Sequence, residues 1–298
     1  MLLAAGAGHE PLRSDDWRAK LTDSGKRAAQ RYGSMLAERG WLPDVALASG
    51  AAALATAEKA LKAAGTTTSS LRIYDSVSPD DVSGLLDDIG DVLVVGGADD
   101  LVAIAAHFDA LCGGAPFSRL EVRGAHGLVR VQVRADELPE DFPFPAPGAV
   151  ERRSRPAYYY TQSAAVPFRQ TERGLEVLVI GSSGGRHRVV PKGIVEPGLS
   201  AAESALKEAR EEAGVRGEIV RSLGDFQYDK WGAACSCTVF AMEVSEELAE
   251  GNWEEAHRGR EWMSAAEASR ALRVQALADI VARLPEALAE ATSAANVP

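Results

Sequence analysis

Short apolar runs alternate with segments of helical spacing along the first 134 residues. "LLAA" at the start, "DVALAS" (44–49) and "DVLVVGG" (91–97) read as strands. Between and after them, "TDSGKRAAQRYGSMLAERG" (22–40), stopped by Gly40, "AAALATAEKALKAAG" (51–65) and "DDLVAIAAHFDALCGG" (99–114) read as helices. "GLVRVQVRA" (127–135) alternates, as a last strand at one sheet edge does. Strands alternating with helices predict an α/β sheet with helices on its faces, a three-layer domain over 1–134. The proline-dense stretch that follows, 135–156, reads as a linker.

From residue 157 the pattern changes to α+β. "YYYTQSAAVPFR" (158–169), "LEVLVIGSS" (175–183) and "HRVVPKG" (187–193) predict strands, and a helix follows over 200–213. "GEIVRSLGDFQYD" (217–229) and "CSCTVFAMEVS" (235–245) predict longer strands. "SAAEASRAL" (264–272) is a short helix opened by Ser264 with Glu267 at capping-box spacing, and the alanine-rich tail from Gln275 is helical. The tail's packing partner is open. No internal repeat links the two halves.

The chain has 298 residues, room for two domains, with 46% hydrophobic and 25% charged positions, as in ordinary globular proteins. Its net charge of -11 argues against nucleic acid or an anionic membrane as a general partner. No basic n-region opens the chain and no apolar run reaches membrane-spanning length, so a cytoplasmic location is expected. The three cysteines agree with it: Cys112 is alone, and Cys235 and Cys237 share a strand face as buried structural thiols, with no zinc-type pair after them.

The helix over 200–213 carries the chemistry. Ser200 is its N-cap, with Glu203 at capping-box spacing, and Gly214 closes it. Ala202, Ala205, Leu206, Ala209 and Ala213 make a narrow face for packing on a sheet. Glu208, Glu211 and Glu212 are predicted to point away from that sheet, and each like-charge pair costs a few tenths of a kcal/mol, on the order of 0.3. Water with the interleaved Lys207 and Arg210 is one way to offset this; a divalent cation is the other, since clustered carboxylates on a rigid helix suit Mg²⁺. The preceding "VVPKGIVEPG" (189–198) brings a lysine and a glycine-bounded loop against the acids, where backbone carbonyls can approach a metal and Lys192 a phosphate.

Over 193–215 the sequence resembles the Nudix hydrolases, whose box G-x5-E-x7-R-E-U-x-E-E-x-G-U forms a metal-binding loop-helix-loop. Here it reads Gly193, Leu199 in place of the family's Glu, Lys207 in place of its Arg, Glu208, Ala209, Glu211, Glu212, Gly214 and Val215. The looser likeness covers about 157–275 and implies the α+β Nudix fold. It implies that Gly193, Glu208, Glu211 and Glu212 hold Mg²⁺, or Mn²⁺ in its place, for hydrolysis of a diphosphate linkage by an activated water. Glu208 and Glu211 are then the catalytic carboxylates, with Glu211, Glu254 and Glu255 all open as proton acceptor.

"GNWEEAHRGREW" (251–262) resembles the corresponding stretch of Nudix enzymes that cleave diadenosine and diphosphoinositol polyphosphates. A phosphate-rich small molecule needs several cations, and Arg186, His187, Arg188, Lys192, Lys230, Arg258 and Arg260 are the candidates. Packing residues and capped acids are the alternative for Trp253, Trp262 and any single arginine. Leu199 also motivates a second class of function, a sensor that binds a phosphorylated ligand without turnover.

The first domain resembles the small histidine phosphatases of the phosphohistidine-phosphatase type in "LLAA", "KLTDSGKRAAQRYGSMLAERG" (20–40), "PDVALAS" (43–49), "TAEKAL" (56–61) and "GDVLVVGG" (90–97). Its chemistry is missing. "AAGAG" (4–8) stands where that family has its nucleophilic histidine, Ala51, Ala52 and Ala53 where it has an arginine, and Gly97 where it has the second histidine. A catalytically silent module is therefore expected, with three roles open: a homodimer contact, a cover for the Nudix cleft, or a ligand-binding pocket. Residual phosphatase activity through His9 is the third class of function; His107, on an apolar helix, is expected to pack or face solvent.

Overall fold

The computed structural model describes residues 2–4, 21–88, 91–111, 138–146 and 149–295. His9, Cys112 and the expected edge strand at 127–135 lie outside the described residues. The chain divides into two compact units, Met1–Ala157 and Tyr158–Pro298.

In the first unit, strands β1 (Leu2–Ala4), β2 (Val45–Ser49), β3 (Leu71–Tyr74) and β4 (Val92–Gly96) form a parallel sheet in the order β1-β4-β2-β3. Alternate residues of β2 and β4 face opposite ways, as strand geometry requires. Ala46, Ala48, Leu93 and Val95 pack with helices α1 (Asp23–Glu38) and α2 (Ala51–Ala63). Val45, Leu47, Val92 and Val94 pack with Val82 of α3 (Pro79–Asp88) and Ile104 of α4 (Ala98–Leu111). Both faces are thus covered, which gives the three layers and explains why these strands read as continuous apolar runs.

Two elements escaped the sequence reading. β3 is a half-exposed edge strand, with Ile73 60% exposed, so it has no apolar run to announce it. α3 did carry a signal: Ser78 caps it, Pro79 begins it, and Asp81 accepts from the Ser78 amide at 2.8 Å. The expected linker is corrected as well. Strands β5 (Phe142–Ala146) and β6 (Ala149–Arg153) pair as an antiparallel hairpin within the first unit. Phe142 is fully buried, and Arg153 lies over the Phe144 ring.

In the second unit, β7 (Thr161–Thr171), β8 (Gly174–Gly181), β11 (Val215–Lys230), β12 (Ala233–Glu247) and β13 (Arg260–Ser264) run in the order β11-β12-β7-β8-β13. The short strands β9 (Arg188–Val189) and β10 (Lys192–Ile194) join β8 and β7 respectively. β12 and β7 are parallel and the other pairs antiparallel, so the sheet is mixed. Helix α5 (Ala201–Ala213) lays Ala205, Ala209 and Ala213 on one face against Ala165, Leu178, Ile180 and Met242. On the other face Val166, Val177, Val179 and Val239 meet α6 (Ala265–Ala271) and α7 (Gln275–Ala282), with Leu284 from the start of α8 (Leu284–Ala295). The tail thus packs on the second unit's own sheet. No helix among the described residues is long and apolar enough to cross a membrane.

Gly33 on α1 allows a close approach to α2: a Cβ there would stand 1.9 Å from the Ala60 carbonyl oxygen. Backbone cannot yield as a side-chain tip can. Gly33→Ala is expected to destabilise the first unit by about 1–3 kcal/mol, read as a lowered urea midpoint for that unit's transition.

Candidate active site

Strand β10 sits at the seam. Neighbouring residues on a strand face opposite ways, so Lys192 and Gly193 address different sides of the sheet. Gly193 faces α5. A Cβ there would lie 1.9 Å from Glu208 Oε1, so the glycine leaves the space that the Glu208 carboxylate occupies. α5 is placed by both ends. Ser200 accepts from the Glu203 amide while the Glu203 carboxylate accepts from Ser200, a complete capping box. At the other end Gly214 adopts the left-handed conformation (φ 63°), and the Trp253 ring fills the space beside it.

The three carboxylates differ. Glu212 corrects the expectation that all of them point away from the sheet: it is 8% exposed, with one oxygen accepting from the Lys192 amide at 2.9 Å and the other paired with Arg258. Burial raises its pKa, opposed by the Lys192 amide and Arg258. Glu211 is half-buried and pairs with Arg210 at 3.1 Å, and Arg210 reaches on to Glu254 at 3.0 Å. Glu208 has no hydrogen bond or ion pair among the described residues. Burial, then the charges of Glu212 and Glu211, push its pKa up to about 7.

A cation fits that arrangement on its donor chemistry: a shielded carboxylate with no ion pair among the described residues, Glu208, beside the second oxygen of Glu211. The side chains do not form a cage unaided, for no group of three His, Cys, Asp or Glu among the described residues converges as one. Glu208 and Glu211 are the open donors, and Glu212 acts as a strut.

The expected phosphate-binding cations separate into two sets. Arg258 and Arg260 are corrected, because both are committed to the fold. Arg258 donates to the Gly181 carbonyl at 2.8 Å and to Glu255 at 2.9 Å besides its pairing with Glu212, and its side chain is 7% exposed. Arg260 donates to the carbonyls of Gly214 (2.9 Å) and Leu248 (2.7 Å) and stacks on Trp253. It thus serves the C-terminal end of α5, where unpaired carbonyls and the negative pole of the helix favour a cation. Arg188 pairs with Glu261 across β8. Arg186 is exposed on the loop before β9.

His187 lies half-buried just before β9, and Lys192 and Lys230 stand on the sheet face opposite α5. Lys192 Nζ donates to the Tyr228 hydroxyl at 3.3 Å, which in turn donates to Gln162. Lys230 lies over the Trp231 ring, and burial, then the charge of Lys192, lower its pKa. Cys235 and Cys237 line the same region as buried thiols, and burial pushes Cys237 up to about 12, which keeps it a neutral packing group near pH 7. The sequence had no means of finding the Tyr228–Gln162 contact, which spans 66 residues.

A family model described as the NUDIX domain matches residues 159–284. Nudix hydrolase 16, mitochondrial, of Arabidopsis thaliana is 36% identical over 108 residues, covering 33% of this chain and 59% of that protein. Diphosphoinositol polyphosphate phosphohydrolase 3-beta of Bos taurus is 34% identical over 122 residues, covering 40% of this chain and 72% of its own. Among solved structures, a C. elegans Ap4A hydrolase binary complex aligns with 44% of this chain and 98% of its own at 19% identity, with a TM-score of 0.39. The chain spans 55–59% of the length of three mitochondrial Arabidopsis relatives that it matches.

Two outcomes follow from the geometry. Arg258→Ala leaves the buried Glu212 without its partner and is expected to cost about 3–5 kcal/mol in urea unfolding of the second unit. Glu208 stands at about 7 against an unfolded value of 4.5, so its contribution to stability is complete below 4.5 and is lost as pH rises through about 7. A bound cation reverses that loss. Excess Mg²⁺ or Mn²⁺ is therefore expected to raise the melting temperature clearly at about pH 8 and little at about pH 5.5, measured by calorimetry.

Proposed function

The chain belongs to the Nudix hydrolase family, and from that membership we propose that its second unit hydrolyses a diphosphate linkage in a nucleoside or dinucleoside polyphosphate, or in a similarly phosphate-rich small molecule. The observation that carries this reading is the Glu208 carboxylate, shielded beside Gly193, with no hydrogen bond or ion pair among the described residues and a pKa pushed up to about 7 by burial and by Glu212 and Glu211. Glu208 and Glu211 would hold Mg²⁺ or Mn²⁺, while the Gly193 carbonyl, turned toward Ser163 by the ladder with β7, is corrected as a ligand. Such an ion screens phosphate charge and activates the attacking water. Arg210 holds Glu211 Oε1 and leaves Oε2 for the ion. Arg258 keeps Glu212, and through it the Lys192 amide, in place. Lys192 and Lys230 bind the phosphates that extend beyond the cleaved linkage.

The first unit is read as a catalytically silent phosphatase-like module. Its parallel three-layer sheet supports this, as does the position of Ala51–Ala53 and Gly97 just beyond the carboxyl ends of β2 and β4, where open parallel sheets bind ligands. A sensor without turnover is the second reading, favoured by the engagement of both Glu212 oxygens.

Diadenosine polyphosphates, nucleoside triphosphates and diphosphoinositol polyphosphates, each with Mg²⁺ or Mn²⁺, test the proposal. Hydrolysis of at least one is expected, and Glu208→Gln should lower kcat by about 100-fold or more without lowering the melting temperature. Glu208 is the better probe than Glu212, whose loss would also strand Arg258. Ligand binding without turnover across the whole panel would establish the sensor instead.

A further inference from the structure

The Nudix box has an acid at the position of Leu199 and an arginine at that of Lys207, and this chain has lost both. Leu199 is 36% exposed and offers no charge. Lys207 is paired nonetheless: its Nζ lies 3.0 Å from Glu196 Oε2, three residues before the missing acid. Both side chains are largely shielded, at 34% and 27% exposure, so the contact is screened less than a fully solvated pair.

Glu196 is well placed for this. The Leu199 amide donates to the Glu196 carbonyl at 3.0 Å, closing a turn whose central residues are Pro197 and Gly198, the latter at φ 91°. Those are the residue types that a type II turn requires. On one side the Val195 amide donates to the Thr161 carbonyl at 2.9 Å, which ties the turn to β7. On the other, Ser200 begins α5. Glu196 thus belongs to the connection that carries Gly193, while Lys207 belongs to the helix that carries Glu208.

We propose that Glu196 and Lys207 are a positioning pair that holds the 194–200 connection on α5 and so keeps Gly193 and Glu208 in register, the role an acid at 199 would otherwise have. The two departures from the box are then one coupled change. An arginine fork makes its best contact with a carboxylate in one plane, whereas an ammonium on a flexible stem takes an acceptor from many directions. Lysine at 207 suits an acid that has moved back by one turn of the loop.

The test uses the full chain and three variants: Glu196→Gln, Glu196→Gln with Leu199→Glu, and Lys207→Met. Amide hydrogen exchange over 194–200 in metal-free protein, the Mn²⁺ dissociation constant and hydrolysis kinetics are measured for each. Glu196→Gln is expected to speed exchange over 194–200 by about tenfold, weaken Mn²⁺ about 3–10-fold and lower kcat about tenfold with KM little changed. Lys207→Met should match it, and Leu199→Glu should restore each value to within about threefold of the parent. Unchanged exchange and Mn²⁺ affinity in Glu196→Gln, or no recovery with Leu199→Glu, overturns the pair. Faster exchange spread evenly over the second unit does so too, because that marks general loss of stability. Only the kinetic arm rests on the hydrolase reading. A chain that binds Mn²⁺ and hydrolyses nothing sinks that reading, while exchange and Mn²⁺ affinity still judge the pair.

Discussion

The candidate site depends on one buried carboxylate. Glu212 receives the Lys192 amide on one oxygen and Arg258 on the other, and Arg258 extends to the Gly181 carbonyl. Three otherwise separate pieces, β10, the end of β8 and the turn before β13, thereby meet on α5. A buried charge is tolerable only when its partners are in place, so the node is all or nothing. It fixes how far Gly193 stands from the helix, and therefore where Glu208 goes.

The same helix has a polarity problem that the surrounding residues resolve. Glu211 and Glu212 lie in its last turn, where the macrodipole is negative and acids are disfavoured. Arg260 donates to the Gly214 and Leu248 carbonyls, Arg258 neutralises Glu212, and Arg210 serves Glu211. The arginines that sequence spacing offered as phosphate ligands are instead what lets two acids end a helix. Glu208, one turn earlier, is outside their reach and keeps its charge problem.

That pattern explains what could and could not be read from the chain. The capping boxes at Ser200 and Ser264, the left-handed Gly214 and the alanine face of α5 are local, and local rules place them correctly. Arg258 and Arg260 were misread because spacing shows that a cation is near the acids, not which way it points. The hairpin at 142–153 was read as linker because prolines usually end strands. In a two-stranded sheet each strand is an edge, and Pro143 and Pro145 can alternate with Phe142 and Phe144 without breaking an inner ladder. The period-two alternation of phenylalanine was the overlooked signal.

The side chosen by each charge then follows from strand geometry. Had Lys192 pointed toward α5, its ammonium would have met Glu208 and answered the charge internally, leaving no demand for an outside cation. Because Gly193 takes that side, Lys192 instead meets Tyr228 on the opposite face, near Lys230. A single strand thus keeps Lys192 and Lys230 away from Glu208, while Arg258 and Arg210 pair with Glu212 and Glu211. In a chain of net charge -11, that separation leaves the Glu208 carboxylate on one side of β10 and the Lys192 and Lys230 ammonium groups on the other.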